Sequence, residues 1–289
     1  MDPQWLLLLP LLWSHSEAEV VQSVSDCARF FLNGEPPEIP GVLENGTIQD
    51  PSQDKAICQT YENQPRFFTL YNTTNKIPVF SAYIFKGNES GRPKENWMTE
   101  PQVIMFLSLK SVILSSEDAS YYQASDKDYK NRLGYDRGHL YPNSYGYSQT
   151  DKISTFTLTN TVPQVNTFNQ GSWNKMESCV KCVMTKYCLD NNRQIEGFLV
   201  TGAEPSNNLL NNKINIPSKM WSAFCCYSSK VNKWLASAHW GNNVADEPRN
   251  KYMETKTLNE LYNELRNASS FKLFSGNQSQ IISLYLLLI

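Results

Sequence analysis

Of three histidines, two lie beyond residue 18, His139 and His239, and only one of these has polar company. His139 stands in Tyr135-Asp136-Arg137-Gly138-His139-Leu140-Tyr141-Pro142, two residues after Arg137. In an extended chain, residues two apart share a face. An imidazole, with an ordinary pKa near 6.5, suits a general base at neutral pH. Gly138 would let a backbone or a phosphate approach closely. His239, in Ser237-Ala238-His239-Trp240-Gly241, has apolar neighbours and reads as a strand residue. Downstream, Asn169, Trp173, Glu177 and Lys181 recur every four residues, the spacing of one stripe on a helix. A base, an amide oxygen, a carboxylate and two cations are the parts that hydrolysis of a phosphodiester needs: activation of water, a cation on the developing charge, and a clamp on the phosphate oxygens. The same spacing also fits a purely structural reading. Asn169 would then be an N-cap, Trp173 core, and Glu177 with Lys181 a surface ion pair.

The elements that must hold these side chains follow from patterning. Residues 33–56, rich in Gly, Pro, Asn and Asp, read as loop, and 66–71 and 77–85 as two strands around a turn. Residues 103–107 suit a short strand or helix, and 123–133 a polar loop. A β-branched run at 155–159 predicts a strand that stops near Pro163. Apolar residues at three- and four-residue steps predict a helix over 170–188. Further strands are expected at 197–202, 220–227 and 234–240, and a last amphipathic helix at 257–266. Strands and helices without strict alternation give an α+β class. No repeat stands out in the 289 residues.

A formal net charge of −2 excludes a globally basic surface that attaches to nucleic acid regardless of site. The nine-residue apolar run from Trp5 to Trp13, followed by Ser16-Glu17-Ala18, predicts a secretory signal over residues 1–18. Its removal takes Asp2 and Glu17 and leaves a neutral chain. Five N-x-Ser/Thr acceptors, at Asn45, Asn72, Asn88, Asn267 and Asn277, agree with export and glycosylation. Of seven cysteines, Cys27 and Cys58 make a plausible bridge, with the later five pairing among themselves and one thiol left over. Cys179-x-x-Cys182 with Cys188 is also a zinc pattern, short of a fourth ligand. Residues 19–270 are expected to form the domain. Residues 271–289 read as a polar, then apolar tail with the shape of a lipid-anchor signal, so the protein is expected to be secreted, or otherwise held at the cell surface.

Asp136-Arg137-Gly138-His139, followed some thirty residues later by Asn160-Thr161-Val162-Pro163-Gln164 and by Asn169-Gln170-Gly171-Ser172-Trp173 with Glu177, resembles the DNA/RNA non-specific endonuclease family, and within it the vertebrate secreted branch. The likeness runs from about residue 25 to about residue 265. It implies a ββα-metal (His-Me finger) core on a mainly antiparallel central sheet flanked by helices. It also implies a secreted enzyme that hydrolyses DNA and RNA without sequence specificity, with Mg²⁺ or Mn²⁺ as cofactor and no stable protein partner. By position, the resemblance makes His139 the general base on the first strand of the hairpin and Asn169 the protein ligand of the metal at the start of its helix. Glu177 would hold the metal's water shell, Arg137 would contact phosphate, and Asn160, Asp136 and Lys181 would support the site or bind phosphate. Two departures stand out: Lys181, where bacterial relatives carry arginine, and Glu95, where they carry arginine two residues before the tryptophan matching Trp97. Both imply reduced activity, or a binding or defence module that keeps the fold.

Overall fold

In a computed structural model, which describes residues 19–100, 102–103, 121–130, 134–247, 252–265, 271–275 and 281–283, the apolar runs become strands. In chain order these are β1 (Glu19–Val21), β2 (Asp54–Tyr61), β3 (Gln64–Asn72), β4 (Ile77–Phe85), β5 (Tyr135–His139), β6 (Thr161–Val165), β7 (Gly197–Glu204), β8 (Lys219–Ser228), β9 (Lys233–Asn242) and β10 (Ile281–Ser283). Eight of them form one sheet in the order β1-β2-β3-β4-β7-β8-β9-β10, antiparallel throughout except that β10 joins β9 in parallel. Among the described residues, strands β5 and β6 pair only with each other. The principal helices are α1 (Gln149–Ser154), α2 (Asn174–Tyr187) and α3 (Leu258–Glu264).

Side chains alternate across the sheet with period two, so each face builds its own core. Phe68, Leu70 and Phe80 point to the side where α3 delivers Leu258, Leu261 and Tyr262. Phe67, Tyr83, Phe85 and Leu199 point to the other side, where α2 lays down Met176, Val180 and Met184. Those three sit at i, i+4 and i+8, one stripe of a helix, and burying each contributes about 1.5–3 kcal/mol. The Thr257 hydroxyl caps α3 by accepting from the Glu260 amide at 3.1 Å, and the Glu260 carboxylate reaches back to the Thr257 amide.

The sequence reading needs four corrections. Residues 54–56, expected in a loop, open strand β2; their Asp-Lys start looks like turn, yet β1 and β3 flank the strand on both edges and bury Ala56, Ile57 and Cys58. The strand expected at 155–159 lies instead at Thr161–Val165 and runs through Pro163. Proline is tolerated there because its outer edge meets no strand; the Pro163 carbonyl accepts from the Asn243 side chain at 2.9 Å. Disulfides join Cys27 to Cys58, as expected, and Cys188 to Cys226, leaving three free thiols (Cys179, Cys182 and Cys225) rather than one. With Cys188 so engaged, the zinc pattern loses a ligand. Finally, packed chain continues beyond residue 270, since Phe271, Leu273 and Phe274 are buried and Lys272 exchanges main-chain bonds with Glu38. The expected signal segment, most of 103–107 and most of the tail lie outside the described residues.

Asn243 fastens the β5–β6 ribbon to the large sheet. Its carboxamide accepts from the Val165 amide and donates to the Pro163 and Pro217 carbonyls, all at 2.8–3.0 Å, with 7% of the residue exposed. Replacing it by alanine strands these buried groups. Asn243→Ala should therefore cost on the order of 3 kcal/mol in urea unfolding; a loss below about 0.5 kcal/mol would show that the ribbon is held elsewhere.

Candidate active site

Strand β5 carries Asp136, Arg137 and His139 to one end of the sheet, and the two sequence motifs meet there. Arg137 pairs with Pro163 and His139 with Thr161 across the ribbon. Gly138 is required by a neighbour rather than by a ligand. The buried Gln164 side chain packs where a Cβ would stand, so the glycine of one motif fits the glutamine of the other. Just past His139 the chain turns around the wholly buried Asn160. The Asn160 Oδ1 accepts from the Tyr141 amide at 2.9 Å and the Ser81 hydroxyl at 3.0 Å, and its Nδ2 donates to the Tyr141 and Thr155 carbonyls at 3.2 Å. Every polar arm of this side chain is used inside the protein, so Asn160 supports the site from behind.

The helix begins earlier than expected and is not regular. A helical turn at Asn166–Phe168 leads into a π-turn at Asn169–Trp173 and then into α2. Asn169 has helical angles (φ −57°, ψ −51°), so it is no N-cap. The widened turn centres on Gly171 (φ −100°, ψ −109°), where the Asp246 carboxylate occupies the space of a Cβ. That carboxylate accepts from the Ser172 amide at 2.6 Å and the Ser172 hydroxyl at 2.7 Å. The extra residue in the turn breaks the four-residue stripe. Trp173 turns into the core with 1% exposed, while Asn169, Gln170, Asn174 and Glu177 face a common cleft. Lys181 lies outside that cleft and donates to the Ser144 carbonyl at 3.5 Å.

The cleft has a volume of about 340 Å³ and is lined by Arg92, Glu95, Trp97, Asp136, Arg137, His139, Pro142, Asn143 and Ser144 together with those four residues. Its geometry brings His139, Arg137, Asp136, Asn169 and Glu177 together and leaves Asn160 and Lys181 outside the lining. The Asp136 carboxylate accepts from Asn169 Nδ2 at 3.0 Å and from Gln170 Nε2 at 2.8 Å, which fixes the amide nitrogen of Asn169. The His139 ring stands 5.3 Å from the Trp97 ring and 5.5 Å from the Phe156 ring. Its Nε2 is buried and has no hydrogen-bond partner among the described residues. Burial, and then the guanidinium charges of Arg92 and Arg137, push its pKa down to about 3, so the ring is neutral at physiological pH. Arg137 is 5.0 Å from the Trp97 ring and 5.3 Å from the Tyr129 ring and pairs with Asp126. Burial drives Glu177 the other way, up to about 8, against the pull of Trp173 and Lys181. Glu95 does not stand unopposed, since Arg92 bonds to it at 2.9 Å.

Sequence reasoning missed Gln170, Asn174 and Asn143 in the lining and Asp246 behind it. Only the Gly171 motif position hinted at Asp246, and it named no partner. Among the described residues no group of three or more His, Cys, Asp or Glu side chains could hold a metal. An ion here would rest on few protein donors.

A model of the DNA/RNA non-specific endonuclease family matches residues 44–280, and the chain belongs to that family. The human Endonuclease domain-containing 1 protein is 29% identical over 226 residues, 76% of this chain and 42% of that protein. Its mouse counterpart is 28% identical over 208 residues, 70% of this chain and 38% of that protein. The chain thus spans about two fifths of the length of these curated relatives. Human mitochondrial Endonuclease G is 36% identical over 69 residues, 24% of this chain and 23% of that protein. Among solved structures, a chain from the EndoG/EndoGI complex matches 78% of this chain and 89% of its own with a TM-score of 0.56 and 17% identity. That likeness is one of fold, the ββα-metal nuclease architecture with its large antiparallel sheet.

The raised Glu177 has a consequence for stability. In the unfolded chain a glutamate ionises near 4.5, whereas the folded one holds its proton to about 8. The native state therefore loses stability as pH rises through that window. In metal-free protein, Glu177→Gln should be the more stable form at pH 8, by on the order of 2 kcal/mol, with the gap closing near pH 5. Parallel urea midpoints for the two proteins across pH 5–8 would refute a buried, protonated Glu177.

Proposed function

We propose that the chain is an exported, metal-dependent endonuclease that hydrolyses the phosphodiester bonds of DNA and RNA in this cleft. The observation that carries the reading is His139, neutral and close to two guanidinium groups, lining the same 340 Å³ cleft as Asn169 and Glu177. The donor set fits Mg²⁺, or Mn²⁺ in its place: one carboxamide oxygen from Asn169 and one carboxylate, from Glu177, to hold bound water. Mg²⁺ dehydrates reluctantly and keeps several waters. When bound, it would supply Lewis-acid stabilisation of the charge that develops on the phosphate.

The chain's own residues do the rest. Neutral His139 accepts the proton of the attacking water at the ring nitrogen that the cleft exposes. A ring held near 3 is a weak base until substrate enters. Arg92 and Arg137 contribute to that depression, and pairing them with an incoming phosphate relieves part of it, so basicity rises as substrate enters. Both arginines then hold phosphate oxygens. Contacts of this kind read no bases, which suits cleavage of both nucleic acids. Asp136 keeps Asn169 oriented, and Tyr145 anchors the first turn of α2 by donating to the Glu177 carbonyl at 2.7 Å.

Two disulfides support an oxidising compartment. Asn45 and Asn88 are exposed and suit glycosylation, whereas the Asn72 amide is taken up by Asp54 at 2.7 Å. Retention at the cell surface is the alternative address. A second reading, a weakly active or inactive binding module, draws on the Arg92–Glu95 pair, which neutralises a cleft cation, and on Lys181 standing outside the lining.

Purified protein should nick and degrade plasmid DNA and RNA with Mg²⁺ and stop on addition of EDTA. His139→Ala should cut the rate by about 10²–10⁴ with the fold intact, and a variant that cleaves at the parental rate sinks the assignment. Glu95→Gln should lower KM two- to fivefold, the scale of an exposed ion pair worth about 0.5–1 kcal/mol. An unchanged KM would mean that Glu95 does not restrain Arg92.

A further inference from the structure

We propose that Lys152 is a positioning residue that ties the segment bearing Arg92 to the wall of the cleft. What Arg92 acts on rests on the nuclease reading above; the tether does not. Lysine is almost never fully buried unless its charge is met. Lys152 has 2% of its surface exposed, and its ammonium donates to two main-chain carbonyls, those of Glu89 and of Gly91, the latter at 2.8 Å. Between them, the Ser90 carbonyl accepts from Gln149 Nε2 at 2.9 Å, so three successive carbonyls are held by side chains of α1. The Glu89 amide donates to the Tyr147 carbonyl at 2.9 Å, closing the attachment from the other side.

The attachment is built in. Residues 86–96 contain no helix or strand, and their main-chain polar groups must find partners elsewhere. Gly87 and Gly91 have φ of +92° and +91°, which side-chain-bearing residues rarely adopt. A Cβ at Gly146 would stand 2.7 Å from Lys152 Cγ, so that glycine makes room for the lysine stem. Immediately after Gly91 comes Arg92, with its guanidinium 5.3 Å from the Phe156 ring and bonded to Glu95. The main-chain carbonyl of Lys152 meanwhile accepts from Asn143 Nδ2 at 2.7 Å, and Asn143 lines the same cleft. One residue therefore holds Arg92 through its ammonium and Asn143 through its carbonyl.

Lys152→Met keeps the stem and removes the donors, and Lys152→Arg keeps a cation. The first readout needs no activity. Trypsin acts poorly at Arg92 because Pro93 follows, so cleavage after Lys94 reports loosening of this segment. Lys152→Met should be cut there about tenfold faster than the parent, and Lys152→Arg by an intermediate factor. In steady-state cleavage of plasmid DNA, Lys152→Met should raise KM about tenfold, equivalent to about 1.4 kcal/mol of lost phosphate binding, with kcat changed less than about twofold. Gln149→Ala, at an exposed position, removes one tether without touching the buried charge and should move both readouts the same way by a smaller factor. It decides the matter if Lys152→Met does not fold. Unchanged proteolysis and KM in the folded variants, or a fall in kcat at constant KM, would overturn the proposal. A parent chain that cleaves no nucleic acid would refute the nuclease reading alone, leaving proteolysis to judge the tether.

Discussion

A carboxamide with no exposed surface determines where the imidazole stands. Asn160 receives the chain as it leaves β5 and connects it to β4 through Ser81 and to the end of α1 through Thr155. Four hydrogen bonds converge on one buried side chain, and an unsatisfied member would cost more than any one bond gives. The strand end is thus held in place, and His139 lines the cleft with its buried Nε2 bonded to none of the described residues. The other polar groups of the cleft are arranged around a ring whose position is already set.

Around that ring the cleft holds charges in unfavourable states. The imidazole is kept neutral by burial and by two guanidinium groups, and a carboxylate on the facing helix is kept protonated by burial. Neither condition serves folding. Perturbed groups of this kind gather at functional sites rather than in structural cores. Stability is supplied elsewhere, by the apolar layers on both faces of the large sheet.

Much of this was legible along the chain because the two motifs are local and their elements are strongly patterned. Met176, Val180 and Met184 announce α2, and the Asp-Arg-Gly-His segment announces an extended strand. The departures have identifiable causes. Strand β2 opens with the polar residues Asp54 and Lys55, whose pairing with β3 overrides their preference for turns. Pro163 sits inside a strand because that strand's outer edge pairs with no other strand among the described residues, and Asn243, 80 residues away, satisfies its carbonyl. Asp246 widens the helix turn from 74 residues away, and Lys152 reaches a loop about 60 residues before it. Partners so distant leave no periodic trace, and a lone lysine or aspartate reads as surface until the fold brings its target near.

The widened turn at Asn169–Trp173 also limits how this chain can vary in length. A helix advances about 100° per residue. A change of length there must be absorbed within the turn itself; one that is not would rotate one flank against the other by that angle, carrying Asn169 away from Glu177 or Met176 and Val180 away from their seats on the sheet. Insertions and deletions among relatives should accordingly collect in the outer connections and spare the few positions between Asn169 and Glu177, whatever happens to the identities of the residues themselves.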